Sequence, residues 1–546
     1  MSILNNIFLW AAIIIAAIAL YKEYDIKYSK KKTVGEIAVS DRLYKILFII
    51  TAVIAVFIRI YKFGSVPGGF NQDGAMAAVD AKALAEHATD RLGMHLPVHL
   101  TAWGYGQMSA LLSYLMIPFV KIGGLSAVTA RLPQLIVSLA GLTCLYLLVK
   151  DAFGKIPALI AFMFAAINPW HIIESRWALD CNLYPHFFIM GIYFLNKGLK
   201  RLRYLVISMV MFGLCMYCYG ISIYTMPLFL AAVCAYLLIT KKITVKRALI
   251  ALAVYLVIAM PFILTMAINF FKLDTIETPF FTIPYFPNSV RSNDILFFSD
   301  EFFKQLASNA KSLLNITLLQ KKDLPWNDIE GFGTMYLFTM PFFVLGLISL
   351  IKDYRKNTGA VLILMFLATG IWCGLTTNGV NVNRLNIIYY PIMLVSAFGI
   401  LFVIKQFKLA SFGIAAAYIT AFAMLTATYF TSYARDMEYY FFKDFGKAVE
   451  YIADIPSDKV YITADSQYEG SSNVSEILTL FYQDIDAEYY KSQEFKNKYT
   501  FESIKNIRVN PNENAVYVVT KEDIRNFNPN NYEFKQFGSY YAVTKK

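Results

Sequence analysis

Two carboxylates in this chain stand beside long apolar segments, a setting in which acids carry proton and charge chemistry. Asp73 lies in Pro67-Gly-Gly-Phe-Asn-Gln-Asp-Gly-Ala, just after the apolar stretch 46–62. Asp180 lies in Pro169-Trp-His-Ile-Ile-Glu-Ser-Arg-Trp-Ala-Leu-Asp-Cys-Asn, between the stretches 156–170 and 183–196. A charge next to hydrocarbon is costly, so such residues are paired or functional. At one depth of one membrane face, one acid can act as a general base while the other orients a reactant or supplies negative charge. Plainer roles compete. Asp73 precedes Gly74 and suits a turn or helix cap. Asp180 suits an ion pair with Arg176 one helical turn earlier, and Glu174 reads equally as a solvated loop charge. His87, His95 and His99 make no zinc pattern, because Pro97 disfavours the helix that would bring His95 and His99 to one face.

Whether the two acids share a face depends on the segments that carry them. About twelve apolar stretches are joined by loops, and strongly basic joints recur at every second one: Lys22–Lys45, Lys150–Lys155, Lys197–Arg203, Lys241–Arg247, Lys352–Lys356 and Lys405–Lys408. Short basic loops stay in the cytoplasm. The expected spans are 3–20, 46–62, 126–149, 156–170, 183–196, 204–220, 222–240, 248–269, 335–351, 359–376, 387–404 and 409–430. Most are long enough to cross a core of roughly 30 Å; 156–170 and 183–196 are short. The apolar stretch Trp103–Lys121 must not cross, or every later basic joint would lie outside. Its Gly104, Gly106, Pro118, Trp103 and Tyr105 suit a segment in the interface. Met1–Leu20 reads as an anchor with an external N-terminus, because its Lys cluster follows the apolar run where a signal peptide carries its charge before it. Asp73 and Asp180 then share the non-cytoplasmic face.

A chain of 546 residues with 57% hydrophobic and 16% charged residues is too apolar to be soluble. The net charge of +12 lies largely in the cytoplasmic loops, where anionic headgroups account for it without nucleic acid. Cys215 and Cys218 share a helix face but lack the further ligands of a metal site. Three non-cytoplasmic segments are large: 62–125, 270–334 and the tail from about residue 432. The tail offers a leading helix, Phe442–Ile455, and strand-like runs Lys459–Thr463, Asn514–Thr520 and Ser539–Thr544. The expected fold is mainly α, a polytopic transmembrane bundle with a small C-terminal extracytoplasmic α/β domain. Its expected divisions are an anchor helix and basic loop at 1–45, a transmembrane catalytic domain at 46–430 and the soluble domain at 431–546.

Several motifs in order carry a family resemblance over about residues 45–430. They are the acid of the first external loop, Gly93-Met-His-Leu-Pro-Val-His, Ala130-Arg131-Leu-Pro, Asn168-Pro-Trp-His with Ser175-Arg-Trp-Ala-Leu-Asp180, and Asn383-Arg384-Leu-Asn before Tyr390-Pro391. Together they resemble the membrane-embedded GT-C glycosyltransferases, in the branch of bacterial protein-mannosyltransferase-like and aminoarabinose-transferase-like enzymes. The resemblance implies transfer of a sugar from a polyprenyl-phosphate donor to an acceptor at the outer face of the cell membrane, with inversion. The acceptor would be an envelope glycan, a lipid or a protein. It implies Asp73 as general base and Asp180 as the acid that orients the acceptor or supports positive charge on the sugar. Arg384, Arg176 and His95 are implied as contacts of the donor phosphate, guanidinium being suited to phosphate oxygens. Gly74 departs from the paired acids of eukaryotic protein mannosyltransferases, which weakens protein as acceptor. The loop Phe270–Thr334, with Arg291, suits an acceptor cleft. Catalysis without a metal cofactor is expected, although a carboxylate pair suits a divalent ion and a branch of the superfamily uses one. The competing class is a transporter or flippase for a lipid-linked glycan. It would place its ionisable residues at mid-membrane and show internal repeats, whereas these candidates stand at span ends.

Overall fold

The computed structural model describes residues 2–28, 39–104, 106–287, 302–465, 468 and 470–546. Tyr105, Arg291 and Lys30–Lys32 of the first basic joint lie outside the described residues.

The apolar stretches fold as helices: α1 (Ser2–Tyr28), α2 (Asp41–Ile60), α5 (Ala127–Phe153), α6 (Lys155–Ala166), α8 (Asp180–Gly198), α9 (Leu202–Cys215), α10 (Ser222–Ile239), α11 (Val245–Phe271), α13 (Met340–Asp353), α14 (Thr358–Thr376), α16 (Tyr389–Gln406) and α17 (Ala410–Thr428). Among the described residues eight helical segments are long and apolar enough to cross a membrane. The expected spans in α6, α9 and α13 give helices of 12, 14 and 14 residues. The α6 helix stops short of 170 because Asn168-Pro169 starts a new helix, α7 (Pro169–Glu174), which Asn168 caps by accepting the His171 N–H at 3.1 Å. The last span runs on past 430 through a π-helical turn, Tyr429–Tyr433, into α18 (Ala434–Tyr440). The α13 and α16 helices pack backbone to backbone, because Gly346 faces the Val395 carbonyl and Gly399 the Phe342 carbonyl with no room for a Cβ.

The stretch Trp103–Lys121 contains a 13-residue helix, α4 (Leu111–Gly123), too short to span. A hairpin of β1 (His99–Thr101) and β2 (Gln107–Ser109) precedes it, and α3 (Gln72–His87) precedes that. The second loop forms β3 (Ile276–Glu277), β4 (Thr282–Ile283) and α12 (Phe302–Thr317), and a short helix, α15 (Val382–Leu385), links α14 to α16. Thr282 ties the two loops, donating to the Leu96 carbonyl at 3.3 Å and accepting from Val98 N–H at 3.0 Å.

The tail is an α/β unit. Its helices α19 (Lys443–Ala453), α20 (Ser472–Tyr482), α21 (Ala487–Lys491) and α22 (Gln493–Lys498) accompany strands β5 (Lys459–Ile462), β6 (Tyr499–Phe501), β7 (Ala515–Thr520), β8 (Tyr532–Phe537) and β9 (Tyr540–Lys545). The sheet order is β6-β5-β7-β9-β8, with β5 parallel to β6 and β7, and β9 antiparallel to both neighbours. The β7 strand is buried on both faces, which explains its unbroken apolar run Ala515–Val519. The unit docks on α3 and the turn before it. Phe70 stacks on Phe481 at 4.5 Å and 5°, and Phe70 N–H donates to the Phe441 carbonyl at 2.6 Å. Lys82 and His87 reach Asp484 and Asp486 at 2.6 and 2.8 Å.

Candidate active site

Three buried arginines fold the segment that presents Asp73. A helix ends with carbonyls that lack intrahelical partners, and a cation there is favoured by the helix dipole. At the end of α2 Arg176 supplies both: its guanidinium donates to the carbonyls of Ile58, Arg59, Tyr61 and Val66 at 2.8, 2.7, 2.8 and 2.9 Å. Arg131 of α5 holds the following turn, donating to Gly64, Pro67 and Gly69 carbonyls at 3.1, 2.9 and 2.7 Å. Arg59 donates to the Ala55 and Ala166 carbonyls and to His171 Nδ1. These bonds fix residues 58–69, and α3 starts three residues later, at Gln72.

Asp73 and Asp180 both stand in the first turn of a helix, α3 and α8, where the dipole favours the ionised acid. The two helix ends are pressed together. A Cβ on Gly74 would lie 2.8 Å from the Ala178 carbonyl, so the residue after Asp73 touches the backbone two residues before Asp180. A second acid at position 74 is therefore excluded by space. Asp73, Asp180 and Glu174 all lie within electrostatic reach of the Cys181 thiol. Asp73 Oδ1 accepts the Trp103 indole N–H at 2.6 Å, a short charge-assisted bond. Trp103 is thus a partner of the candidate base rather than an anchor in the interface. Its hairpin is held by Arg91, which donates to the Thr101 carbonyl at 2.8 Å and pairs with buried Asp80 at 2.7 Å. Asp180 Oδ1 accepts the Cys181 N–H at 2.7 Å.

A buried amide chain forms the floor beside Asp180. The Trp170 indole N–H donates to Asn386 Oδ1 at 2.9 Å, and the Asn386 amide donates to Asn182 Oδ1 at 2.9 Å. The chain joins α7, the turn before α16 and α8. Glu174 is fully buried, which removes its reading as a solvated loop charge, and the Asn182 amide lies beside it. Burial and the nearby Asp323 carboxylate hold the Glu174 acid well above the usual carboxylate range. Asp323 pins the second loop to the turn bearing Arg384, accepting Val382 N–H at 2.8 Å.

The expected cations separate. Arg384 is half-buried on that turn, with its guanidinium on the carbonyls of Asn378 and Gly379. Arg176 is fully buried, and its fork is committed to the end of α2, so it holds backbone where a phosphate contact was expected. His95 is exposed on a turn bridged to Thr89 and makes no hydrogen bond or ion pair to either carboxylate among the described residues. The sequence carried a signal for what was missed: Asn182, Glu174 and Asn386 are polar residues inside apolar runs.

Comparisons with known proteins agree with this architecture. The family model described as dolichyl-phosphate-mannose-protein mannosyltransferase matches residues 109–265. A search of curated proteins finds no match. The structure is similar to that of ArnT from Cupriavidus metallidurans bound to undecaprenyl phosphate, with TM-score 0.54 and 10% identity over 92% of this chain and 98% of that one. It is also similar to the Archaeoglobus fulgidus oligosaccharyltransferase tethered to an acceptor peptide, with TM-score 0.51 and 13% identity over 81% of this chain and 63% of that one.

Proposed function

We propose that this chain, a multi-pass membrane protein of the GT-C glycosyltransferase fold, moves a sugar from a polyprenyl-phosphate donor to an acceptor hydroxyl at the outer face of the membrane. The observation that carries the reading is the seating of α3 on the segment before α8, which brings Asp73 and Asp180 to one site with Trp103 on the former. Asp73 takes the acceptor's proton as its oxygen attacks the anomeric carbon. The bond from that carbon to the phosphate oxygen breaks on the opposite side, so the configuration inverts and polyprenyl phosphate leaves with the electron pair. The Trp103 N–H holds one Asp73 oxygen and so fixes the orientation of the carboxylate. Asp180 supports the positive charge that grows on the sugar. Arg384, the candidate guanidinium that is not buried, meets the leaving phosphate. The acceptor belongs to the cell envelope, as a glycan, lipid or protein.

The test is release of free polyprenyl phosphate from a panel of polyprenyl-phosphate sugars by purified protein, with an envelope extract as acceptor source. Wild type releases it and Asp73→Asn loses release. Equal release by both removes Asp73 from the chemistry, and no release by either across the panel makes transport the better reading.

A further inference from the structure

The loop 318–335 and the far end of the last bundle helix enclose a cavity of about 510 Å3 that the reaction above does not use. Lys322, Asp328 and Glu330 line it from the loop, and Asp436, Tyr439 and Tyr440 from α18. Three acids face one lysine, so the cavity disfavours an anion. Asp328 is the telling residue. It is only 6% exposed, yet its carboxylate lines the cavity. Its Oδ2 accepts the Asp323 N–H at 3.0 Å, and its Oδ1 takes no hydrogen bond among the described residues. The remaining exposure of this otherwise buried side chain is on the cavity, so its second oxygen can accept a hydrogen bond from a molecule there.

The opposite wall is aromatic and rigid. Tyr440 packs edge-on against Trp326 and Tyr468 at 6.0 and 5.2 Å, and Tyr439 edge-on against Tyr440 at 5.0 Å. The π-helical turn Tyr429–Tyr433 inserts one residue just before this wall and so sets which side chains of α18 meet the loop. Aromatic rings and carboxylates lining one cavity match a sugar ring, which is apolar across its C–H face and carries O–H donors at its edge. An isoprenoid or acyl chain would leave the acids unanswered. The cavity also adjoins the candidate active site. Tyr433 lines it, donates its hydroxyl to the Trp326 carbonyl at 2.9 Å, and lies within electrostatic reach of both Glu174 and Asp328.

We propose that this cavity binds a saccharide, cationic or neutral in preference to anionic, with Asp328, Glu330 and Asp436 accepting its donors and the Tyr439 and Tyr440 rings packing on its apolar face. That this saccharide is the acceptor rests on the transferase reading; that it binds does not.

The experiment is titration calorimetry of the full chain in lipid nanodiscs free of glycoside detergent, with maltose, its aminoethyl glycoside and a galacturonate disaccharide as probes and tetralysine as a peptide control. The aminoethyl glycoside is expected to bind most tightly, maltose next and the galacturonate least. Asp436→Asn weakens the aminoethyl glycoside about tenfold, the loss of one charge-assisted bond. Tyr439→Ala, also at an exposed position, weakens both favoured probes while Asp436→Asn spares maltose more. The proposal is overturned if no saccharide binds, if the galacturonate binds as tightly as the aminoethyl glycoside, if both variants bind like wild type, or if tetralysine outcompetes every sugar. Polyprenyl phosphate release, measured separately, separates the two readings: sugar binding without release retains the cavity and removes the transferase, and release without sugar binding does the reverse.

Discussion

Replacing Arg176 by Lys keeps a cation but removes the planar fork, and this separates a backbone clamp from a phosphate contact. The guanidinium serves four carbonyls at 2.7 to 2.9 Å, two from each terminal nitrogen. An ammonium is a single point on a shorter reach and can hold about two of them. Losing two bonds to a charged donor at about 1.5–3 kcal/mol each costs roughly 3–6 kcal/mol. Spread over an unfolding entropy of about 2.1 cal/mol/K per residue, that lowers the midpoint by roughly 3 °C or more, since helices that persist in detergent reduce the entropy released. Thermal unfolding followed by tryptophan fluorescence measures the shift, and donor titration measures KM in the same preparation. An unchanged midpoint with a large rise in donor KM would refute the clamp and return Arg176 to the phosphate.

Further outcomes follow from the same geometry. Trp103→Phe removes the only hydrogen that indole can give Asp73, and turnover should fall about tenfold or more with donor KM little changed, a split read from steady-state kinetics. Gly74→Ala forces a Cβ to 2.8 Å from the Ala178 carbonyl, so folded yield and thermal midpoint should both drop; a variant as stable as wild type would mean the helix ends are not in contact. Burial pushes the Asp328 acid up to about 6, opposed by the Asp323 N–H and by Lys322 and aided by the Asp323 and Glu330 charges. The carboxylate is therefore neutral below that pH and charged above it. Binding of the aminoethyl glycoside, whose amine stays charged, should strengthen as pH rises from 5 to 7, and Asp328→Asn should flatten the profile. We also expect polyprenyl phosphate release to survive chelation by EDTA; loss restored by a divalent ion would assign the carboxylates a metal.

What could be read in the sequence was governed by range. Hydropathy and the alternation of basic joints act segment by segment, so the helices of the bundle were legible, and Trp103–Lys121 was legible as a segment unlike a single long helix. Asp73 and Asp180 stood out as acids beside apolar runs. Their mutual approach depends on Gly74 meeting Ala178 across a hundred residues, which no local pattern encodes. Arg176 was read from its chemistry alone, and guanidinium suits a phosphate and a row of helix-end carbonyls equally well. The shortness of α6 and the burial of Glu174 share one cause: Asn168-Pro169 breaks the apolar stretch and turns the next residues back under the loop 318–335, where the Trp170 backbone N–H meets the Thr334 carbonyl at 3.0 Å. In the tail the strands with alternating or unbroken apolar residues were legible, whereas β6 and β8, which lie at the sheet edges with many polar residues, were not.

The π-helical turn Tyr429–Tyr433 also works as an indexing tooth between the bundle and the tail. Each helical residue advances the chain by about 100° and 1.5 Å. Deleting a single residue there would turn everything beyond it by that angle while leaving both bodies internally intact. Phe441 would leave the Phe70 N–H, Phe481 would leave the Phe70 ring, and Lys82 and His87 would face different partners. The azimuth of the whole C-terminal body over the membrane is therefore stored in one residue of helical phase, and chimaeras that exchange tails between related chains should succeed or fail according to whether that phase is kept.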